Sequence, residues 1–145
     1  MEMAAQQVSS AERIGSSVVI AFIDLDRFKQ LNDTKGHEAG DAALREIGAM
    51  LQQTKRSSDI CGRIGGDEFC IFALDSTPGK SHEWANRLHE RLTEALDVHK
   101  PVGVSIGVAC FDRMDKNLEE MVKLADEAMY EVKHAGKGKV LVRSF

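Results

Sequence analysis

The chain has no excess of basic charge, little cysteine or proline and no long apolar run, and each shortage removes a class of function. Lysine and arginine number 19 against 23 aspartates and glutamates in 145 residues, a net charge of −4. Bulk nucleic-acid binding, which needs a basic face to displace counterions, is thereby excluded. The three cysteines, Cys61, Cys70 and Cys110, are odd in number, widely spaced and set in apolar segments. A disulfide or zinc framework needs another pattern, so these read as reduced core residues. No stretch approaches the roughly 20 apolar residues of a membrane span. Met1-Glu2-Met3-Ala4-Ala5-Gln6-Gln7 lacks the basic and apolar regions of a signal peptide. Together these features predict a cytoplasmic chain with no membrane partner. No repeat, low-complexity tract or linker interrupts it, and 43% hydrophobic residues suffice for one core, which predicts a single domain over residues 1–145.

What is present begins with Arg63-Ile64-Gly65-Gly66-Asp67-Glu68-Phe69, where two glycines and two carboxylates lie between apolar segments. Ile60 to Arg63 and Phe69 to Leu74 read as short strands. A Gly-Gly connection between such runs predicts a hairpin, because glycine reaches positive φ at little cost. Missing side chains at Gly65 and Gly66 would let a bulky ligand lie against the backbone, while Asp67 and Glu68 offer the hard oxygens that magnesium takes. A second acidic group, Asp24-Leu25-Asp26, ends the unbroken apolar run Val18-Val19-Ile20-Ala21-Phe22-Ile23. Such a run predicts a central strand covered on both faces, holding Asp24 rigidly at one edge of the sheet. Strand ends are often acidic, so Asp24 alone carries little. Two acidic groups brought together by pairing of that strand with the hairpin would repel each other unless divalent ions lay between them.

Periodicity predicts the remaining elements. Residues 40–54 place Leu44, Ile47, Gly48 and Leu51 on one helical stripe, and residues 81–96 do the same with Trp84, Leu88, Leu92 and Ala95. Asn117 reads as the cap of a third helix, with Glu120 three residues on and Leu118, Met121, Ala125, Met129 and Val132 on its apolar face. Val102, Val104, Ile106 and Val108 alternate as a strand should. Val140 and Val142 mark a last short strand, and Ser76-Thr77-Pro78-Gly79 reads as a turn. The order strand, helix, hairpin, helix, strand, helix, strand describes helices packed on a sheet.

These segments together resemble the GGDEF family of diguanylate cyclase catalytic domains. Beside Gly65-Gly66-Asp67-Glu68-Phe69, the run from Asp24 to Asp33 is similar to the family's DxDxFKxxND segment and Gly36 to Asp41 to its GHxxGD segment. Ser105 to Ala109 resembles its SIGVA strand and Ala125 to Lys133 its closing helix, so the resemblance runs from about Val18 to Lys139. It implies an α+β fold: a mainly antiparallel central sheet surrounded by helices, with a ferredoxin-like core similar to class III nucleotidyl cyclases and the polymerase palm. It also implies condensation of two GTP into cyclic di-GMP with release of two pyrophosphates, by attack of each ribose 3′-hydroxyl on the other nucleotide's α-phosphate.

By the same resemblance, Asp24 and Asp67 ligate magnesium or manganese, two ions per active site, with the backbone carbonyl of Leu25 assisting. Glu68 is the catalytic carboxylate, either a ligand of the second ion or a group that helps deprotonate the 3′-hydroxyl, and Asp67 and Lys133 act with it. The turn from Arg27 through Phe28 to Lys29 offers amides to phosphate, with the Phe28 side chain in the core. Lys133 and Lys137 match two basic phosphate contacts. Taken alone, both are ordinary lysines favoured by the dipole at a helix C-terminus. Asn32 and Asp41 fall on the guanine-reading positions. A carboxylate accepts from both N1–H and the exocyclic amine of guanine, a pair that adenine lacks, which favours GTP over ATP. From the residues alone, Asp41 also suits a helix N-cap.

Arg56-Ser57-Ser58-Asp59 stands at the distance before Gly65 where the family carries its inhibitory RxxD motif. By itself such a pair is common in a chain with 29% charged residues. In this register it resembles a feedback site for cyclic di-GMP, with Arg56 on the Hoogsteen edge of guanine, Asp59 on its N1–H and amine, and Arg87 completing it. Two departures stand out. Gly136-Lys137-Gly138 replaces the usual Gly-Arg-Asn, which keeps the charge but loses a planar donor and predicts weaker phosphate binding. The family's opening Leu-Thr-Gly-Leu-x-Asn-Arg segment is missing, and residues 1–17 resemble only the end of its first helix. One GTP per protomer makes the active species a dimer, at least transiently, and the resemblance implies an upstream sensory module. The alternative is a catalytically weak domain that binds cyclic di-GMP as a sensor. Intact Asp24, Asp67, Glu68 and Lys133 favour the enzyme.

Overall fold

A computed structural model of the chain describes residues 17–56, 58–75, 80–112 and 115–145. Strand β1 (Ser17–Asp26) leads into helices α1 (Phe28–Lys35) and α2 (His37–Thr54). Strands β2 (Ile60–Arg63) and β3 (Glu68–Asp75) form the hairpin. Helix α3 (Ser81–Ala95) and a 3-10 turn (Leu96–His99) precede β4 (Gly103–Phe111), and α4 (Leu118–His134) precedes β5 (Val140–Ser144). The five strands lie in the order β2-β3-β1-β4-β5, antiparallel throughout except for the β4–β5 pair. This is the expected α+β, mainly antiparallel sheet. The turn expected at 76–79 and the helix remnant expected over residues 1–17 lie outside the described residues, apart from Ser17, which opens β1.

Alternation along the strands divides the core in two. Val19, Ala21, Ile23 and Leu25 of β1 pack with residues of α1, α2 and α3, whereas Val18, Ile20 and Phe22 pack with Met121, Ala125 and Met129 of α4. A strand with helices on both faces has no solvent side, which is why its sequence runs apolar without a break. Gly107 of β4 fixes how closely α4 can lie: a Cβ there would come 2.3 Å from the Met129 amide nitrogen and 2.6 Å from its Cα. The expected cap of α4 is present, with Asn117 Oδ1 accepting from the Glu120 amide at 2.9 Å. Cys61 and Cys70 are free thiols, and burial pushes the Cys70 thiol up to about 12.

Four expectations need correction. The segment after β1 is a helix in its own right, separated from α2 by Gly36 at φ 91, ψ 167, a conformation that favours glycine. Because α2 starts at His37, Asp41 lies inside it and is not its N-cap. The buried stripes also turn toward smaller residues. Helix α2 buries Gly40, Ala43, Ile47 and Leu51, and α3 buries Ser81, Ala85, Leu88 and Leu92, leaving Leu44 and Trp84 half-buried. Small residues let a helix approach closely, and a search for large apolar periodicity passes over them. Finally, neither Gly65 nor Gly66 takes a positive φ. The hairpin turn is closed by the Ile64 amide donating to the Glu68 carbonyl at 2.9 Å. The Arg63 guanidinium clamps it, with Nε 3.0 Å from the Gly65 carbonyl and Nη2 2.9 Å from that of Gly66.

Candidate active site

The carboxylates meet where β1 leaves the sheet and the hairpin turns. Pairing of β3 with β1 sets Glu68 opposite Asp24, and the Leu25 amide donates to the Asp67 carbonyl at 3.1 Å. Asp24 and Asp26, two residues apart, fall on the α4 side of β1, and the last turn of α4 brings Lys133 to them. Its Nζ lies 3.1 Å from Asp24 Oδ2 and 2.5 Å from Asp26 Oδ1. Burial pushes the Asp24 carboxyl up to about 6; the Lys133 ammonium opposes the shift, and the charges of Asp67 and Glu68 add to it. Burial pulls Lys133 down, but hydrogen bonds to Asp26 and Asp24 and their charges outweigh it, so the ammonium sits above its ordinary range.

The donors suit a hard divalent cation. Asp24 Oδ1 is buried with no hydrogen-bond partner, and a buried carboxylate oxygen left unpaired is costly unless a cation or donor meets it. Among the described residues no three His, Cys, Asp or Glu side chains are already grouped around a common point, so Asp67 and Glu68 would have to turn toward Asp24 to complete a site. Glu68 is exposed and Asp67 half-buried, which leaves both free to do so.

Beside this centre lies a pocket of ≈ 350 Å³ lined by Phe28, Lys29, Asn32, Asp41, Leu44, Arg63, Gly66 and Asp67. It gathers five of the residues singled out from the sequence. Phe28 itself is buried, as expected. Arg27, the residue before α1, stands in the left-handed region at φ 60, ψ 27, and no side chain caps the helix. A non-glycine residue there costs about 1 kcal/mol, and the missing side-chain cap leaves the amides of α1's first turn without that partner. Asn32 fits only because Gly40 has no side chain, since a Cβ there would fall 1.8 Å from Asn32 Oδ1. A Cβ on Gly66 would meet nothing within 4 Å, so the hairpin backbone is open to an approaching ligand.

Over residues 1–139 the chain matches the family described as Diguanylate cyclase, GGDEF domain. It belongs to that family. The domain is 38% identical over 125 residues to the probable diguanylate cyclase DgcJ of Escherichia coli (strain K12), covering 86% of this chain and 25% of that protein. The chain spans 12% to 38% of the length of such curated relatives. Its fold matches the active GGEEF domain of a diguanylate cyclase from Vibrio cholerae with a TM-score of 0.84 at 25% identity, covering 96% of this chain and 90% of that one. It matches the diguanylate cyclase SiaD of Pseudomonas aeruginosa, solved with its activator SiaC, with a TM-score of 0.81 at 32% identity, covering 98% and 56%.

Two of the remaining expected residues of this GGDEF domain, Asp59 and Arg87, line a second pocket. Asp59, 5% exposed, lines a cavity of ≈ 210 Å³ with Arg87, and also with Arg91, Trp84 and Lys55. Arg56 is not in that lining. Its amide donates to Asp59 Oδ2 at 2.9 Å, its Nε lies 3.5 Å from Asp59 Oδ1, and its Nη2 donates to the Leu74 carbonyl at 2.6 Å. Lys137 is exposed in the turn after α4, at φ 63. Sequence reasoning missed Asp26, Ser105 and Gly138, Arg63 as the clamp of the hairpin, and Arg91. The spacing of Asp24 and Asp26 was a usable signal, since alternate residues of a strand share a face. No helix among the described residues is long and apolar enough to cross a membrane.

Proposed function

We propose that this GGDEF domain is a diguanylate cyclase that condenses two GTP into cyclic di-GMP. The observation that carries the reading is the ≈ 350 Å³ pocket that joins Asn32 and Asp41 to Gly66 and Asp67 of the hairpin, beside Asp24 and Lys133. In this reading Asp41 and Asn32 take the polar edge of guanine. The first-turn amides of α1, Lys29, Lys133 and Lys137 take the triphosphate. Asp24, Asp67, Glu68 and the Leu25 carbonyl would hold magnesium or manganese. When bound, such ions lower the pKa of the 3′-hydroxyl and neutralise charge on the α-phosphate and the departing pyrophosphate.

The bond formed joins O3′ of one nucleotide to the α-phosphorus of the other, the bond broken lies between that phosphorus and the β-bridging oxygen, and the step occurs twice. One copy of the chain holds one GTP, so two copies face each other during turnover. Glu68, exposed at the hairpin, is the group free to meet the incoming 3′-hydroxyl proton or to complete the ion site. The ≈ 210 Å³ pocket with Asp59, Arg87 and Arg91 supports feedback by cyclic di-GMP, whose two phosphates and guanine edges suit paired guanidinium groups and a carboxylate. The nucleotide substrate fits a cytoplasmic setting, and the greater length of the relatives fits a sensory module on the same polypeptide.

The test is incubation of concentrated protein with GTP and magnesium or manganese, with chromatography of the products and Glu68→Gln alongside. Cyclic di-GMP from the native chain alone is the expected result. No product at any protein concentration, with cyclic di-GMP still binding, would replace the cyclase with a cyclic di-GMP sensor.

A further inference from the structure

We propose that Asp26 is the fixed anchor of the phosphate-binding lysines: a positioning residue that holds Lys133 and the turn at 136–138 while Asp24 gives up its own contact with Lys133 to an incoming cation. The inference rests on the cyclase reading and deepens it. The two aspartates share one face of β1 but differ in their surroundings. The Asp26 side chain is 2% exposed and that of Asp24 17%. Asp26 Oδ1 accepts from Lys133 Nζ at 2.5 Å and Ser105 Oγ at 2.8 Å, and Oδ2 accepts from Ser105 Oγ at 2.8 Å and the Gly138 amide at 3.0 Å. The Gly138 amide also lies 3.0 Å from Ser105 Oγ, closing the network. Asp24 has Lys133 on one oxygen and nothing on the other.

These differences assign different fates. A carboxylate whose oxygens are both filled by fixed donors takes up a cation only by breaking those bonds, whereas one with an empty oxygen takes it up directly. Lys133 carries three donor protons. One stays on Asp26, and the one shared with Asp24 is released when Asp24 turns to a cation; the acceptor arriving at that moment is the triphosphate. Asp26 also fixes the far side of the phosphate site. Its bond to the Gly138 amide ties down the turn in which Lys137 is held at φ 63, a conformation a lysine keeps only when neighbouring contacts enforce it.

The test is a double-mutant cycle read by calorimetric binding of a non-hydrolysable GTP analogue with magnesium, together with inorganic tripolyphosphate. Asp26→Asn keeps the shape of the side chain and removes its charge. Lys133→Met is expected to weaken binding about tenfold or more and Asp26→Asn about fivefold. The double variant should bind within about twofold of Lys133→Met alone, because the asparagine oxygen still accepts from the Gly138 amide and keeps the turn of Lys137, so that the substitution acts mainly through Lys133. A purely structural role would give losses that multiply, and that result, or native-like binding by Asp26→Asn, would overturn the proposal. Should Asp26→Asn fail to fold, Ser105→Ala supplies the same cycle: about a threefold loss alone and none in the Lys133→Met background, with multiplying losses again the contrary result. A native chain that binds neither ligand removes the cyclase reading and this one together. A native chain that makes cyclic di-GMP while the losses multiply removes the anchor role only.

Discussion

Replacing Gly40 with alanine would put a methyl group where Asn32 now lies. The added Cβ would stand 1.8 Å from Asn32 Oδ1, 2.9 Å from its Cγ and 3.1 Å from Phe28 Cζ. Non-bonded atoms settle at roughly 3.5 Å, so the Asn32 amide has to retreat by about 1.5 Å or more. The obstruction is the end of a flexible side chain, so Asn32 turns away and α1 stays on α2. Gly40 lies inside α2 without a positive φ, so alanine gains about 1 kcal/mol of helix propensity. Against that stand roughly 1–3 kcal/mol of overpacking, which leaves a net loss of at most about 2 kcal/mol. For a domain of this size that loss is a fall of about 6 °C or less in Tm. The larger effect falls on the pocket: losing one well-placed hydrogen bond to the base is worth about 1.4 kcal/mol, or about tenfold in GTP affinity. Thermal unfolding and calorimetric GTP binding should be measured together, with Asn32→Ala for comparison. The two variants are expected to bind GTP about equally weakly while staying folded. A folded Gly40→Ala chain that binds GTP as tightly as the native one would refute the assignment of Asn32 to the base, and a Tm fall well beyond ~6 °C would refute the flexible-end argument.

Gly107→Ala gives the contrasting outcome, because its Cβ meets the Met129 backbone, which cannot turn aside. A loss of about 3 kcal/mol or more, or roughly 10 °C in Tm, is expected by calorimetry, and a shift under ~3 °C would contradict the packing argument. The Asp24 carboxyl, raised from 3.8 to about 6, favours its protonated form in the folded chain. Its contribution to stability in the ion-free domain is therefore full below about pH 4 and lost as pH rises through about 6. Magnesium needs the ionised form, so ion affinity should fall about tenfold from pH 7 to pH 5, and a flat titration over that range would count against Asp24 as a ligand. Arg87→Ala, at an exposed position lining the ≈ 210 Å³ pocket, should raise the cyclic di-GMP concentration needed for half-inhibition. The expected shift is about tenfold, with the uninhibited rate unchanged; unaltered inhibition curves would move the feedback site elsewhere.

Much of the fold was legible because its signals are local. The apolar run from Val18 to Ile23, rich in β-branched residues, reads as a strand with both faces covered, and it is the central strand of the sheet. Asn117 announced α4 because a cap and its partner lie three residues apart. Asp24, Asp67, Asn32 and Asp41 were readable as an ordered set of motifs, and the fold brings the last three to one pocket. The helix α1 was less legible. Its start is a left-handed Arg27 with no side-chain cap, so the usual start signal is missing even though Gly36 marks its end. The hairpin was foreseen for the wrong local reason, since its shape comes from the Arg63 clamp and not from positive φ at the glycines.

The sequence by itself determined the strand order, every helix but α1, the chemistry available at the hairpin and the family of the chain, because periodicity, capping and motif spacing act over a few residues. Only the tertiary structure decided that Lys133 sits between Asp24 and Asp26, that the Gly138 amide closes on Asp26, and that Arg91 joins Asp59 and Arg87 while Arg56 turns to Leu74. The Lys133–Asp26 and Gly138–Asp26 contacts join groups 107 and 112 residues apart in the chain. Such partners are chosen by how two helix layers settle on one sheet, through close approaches such as that of Gly107 to Met129, and no local pattern encodes which side chains then meet.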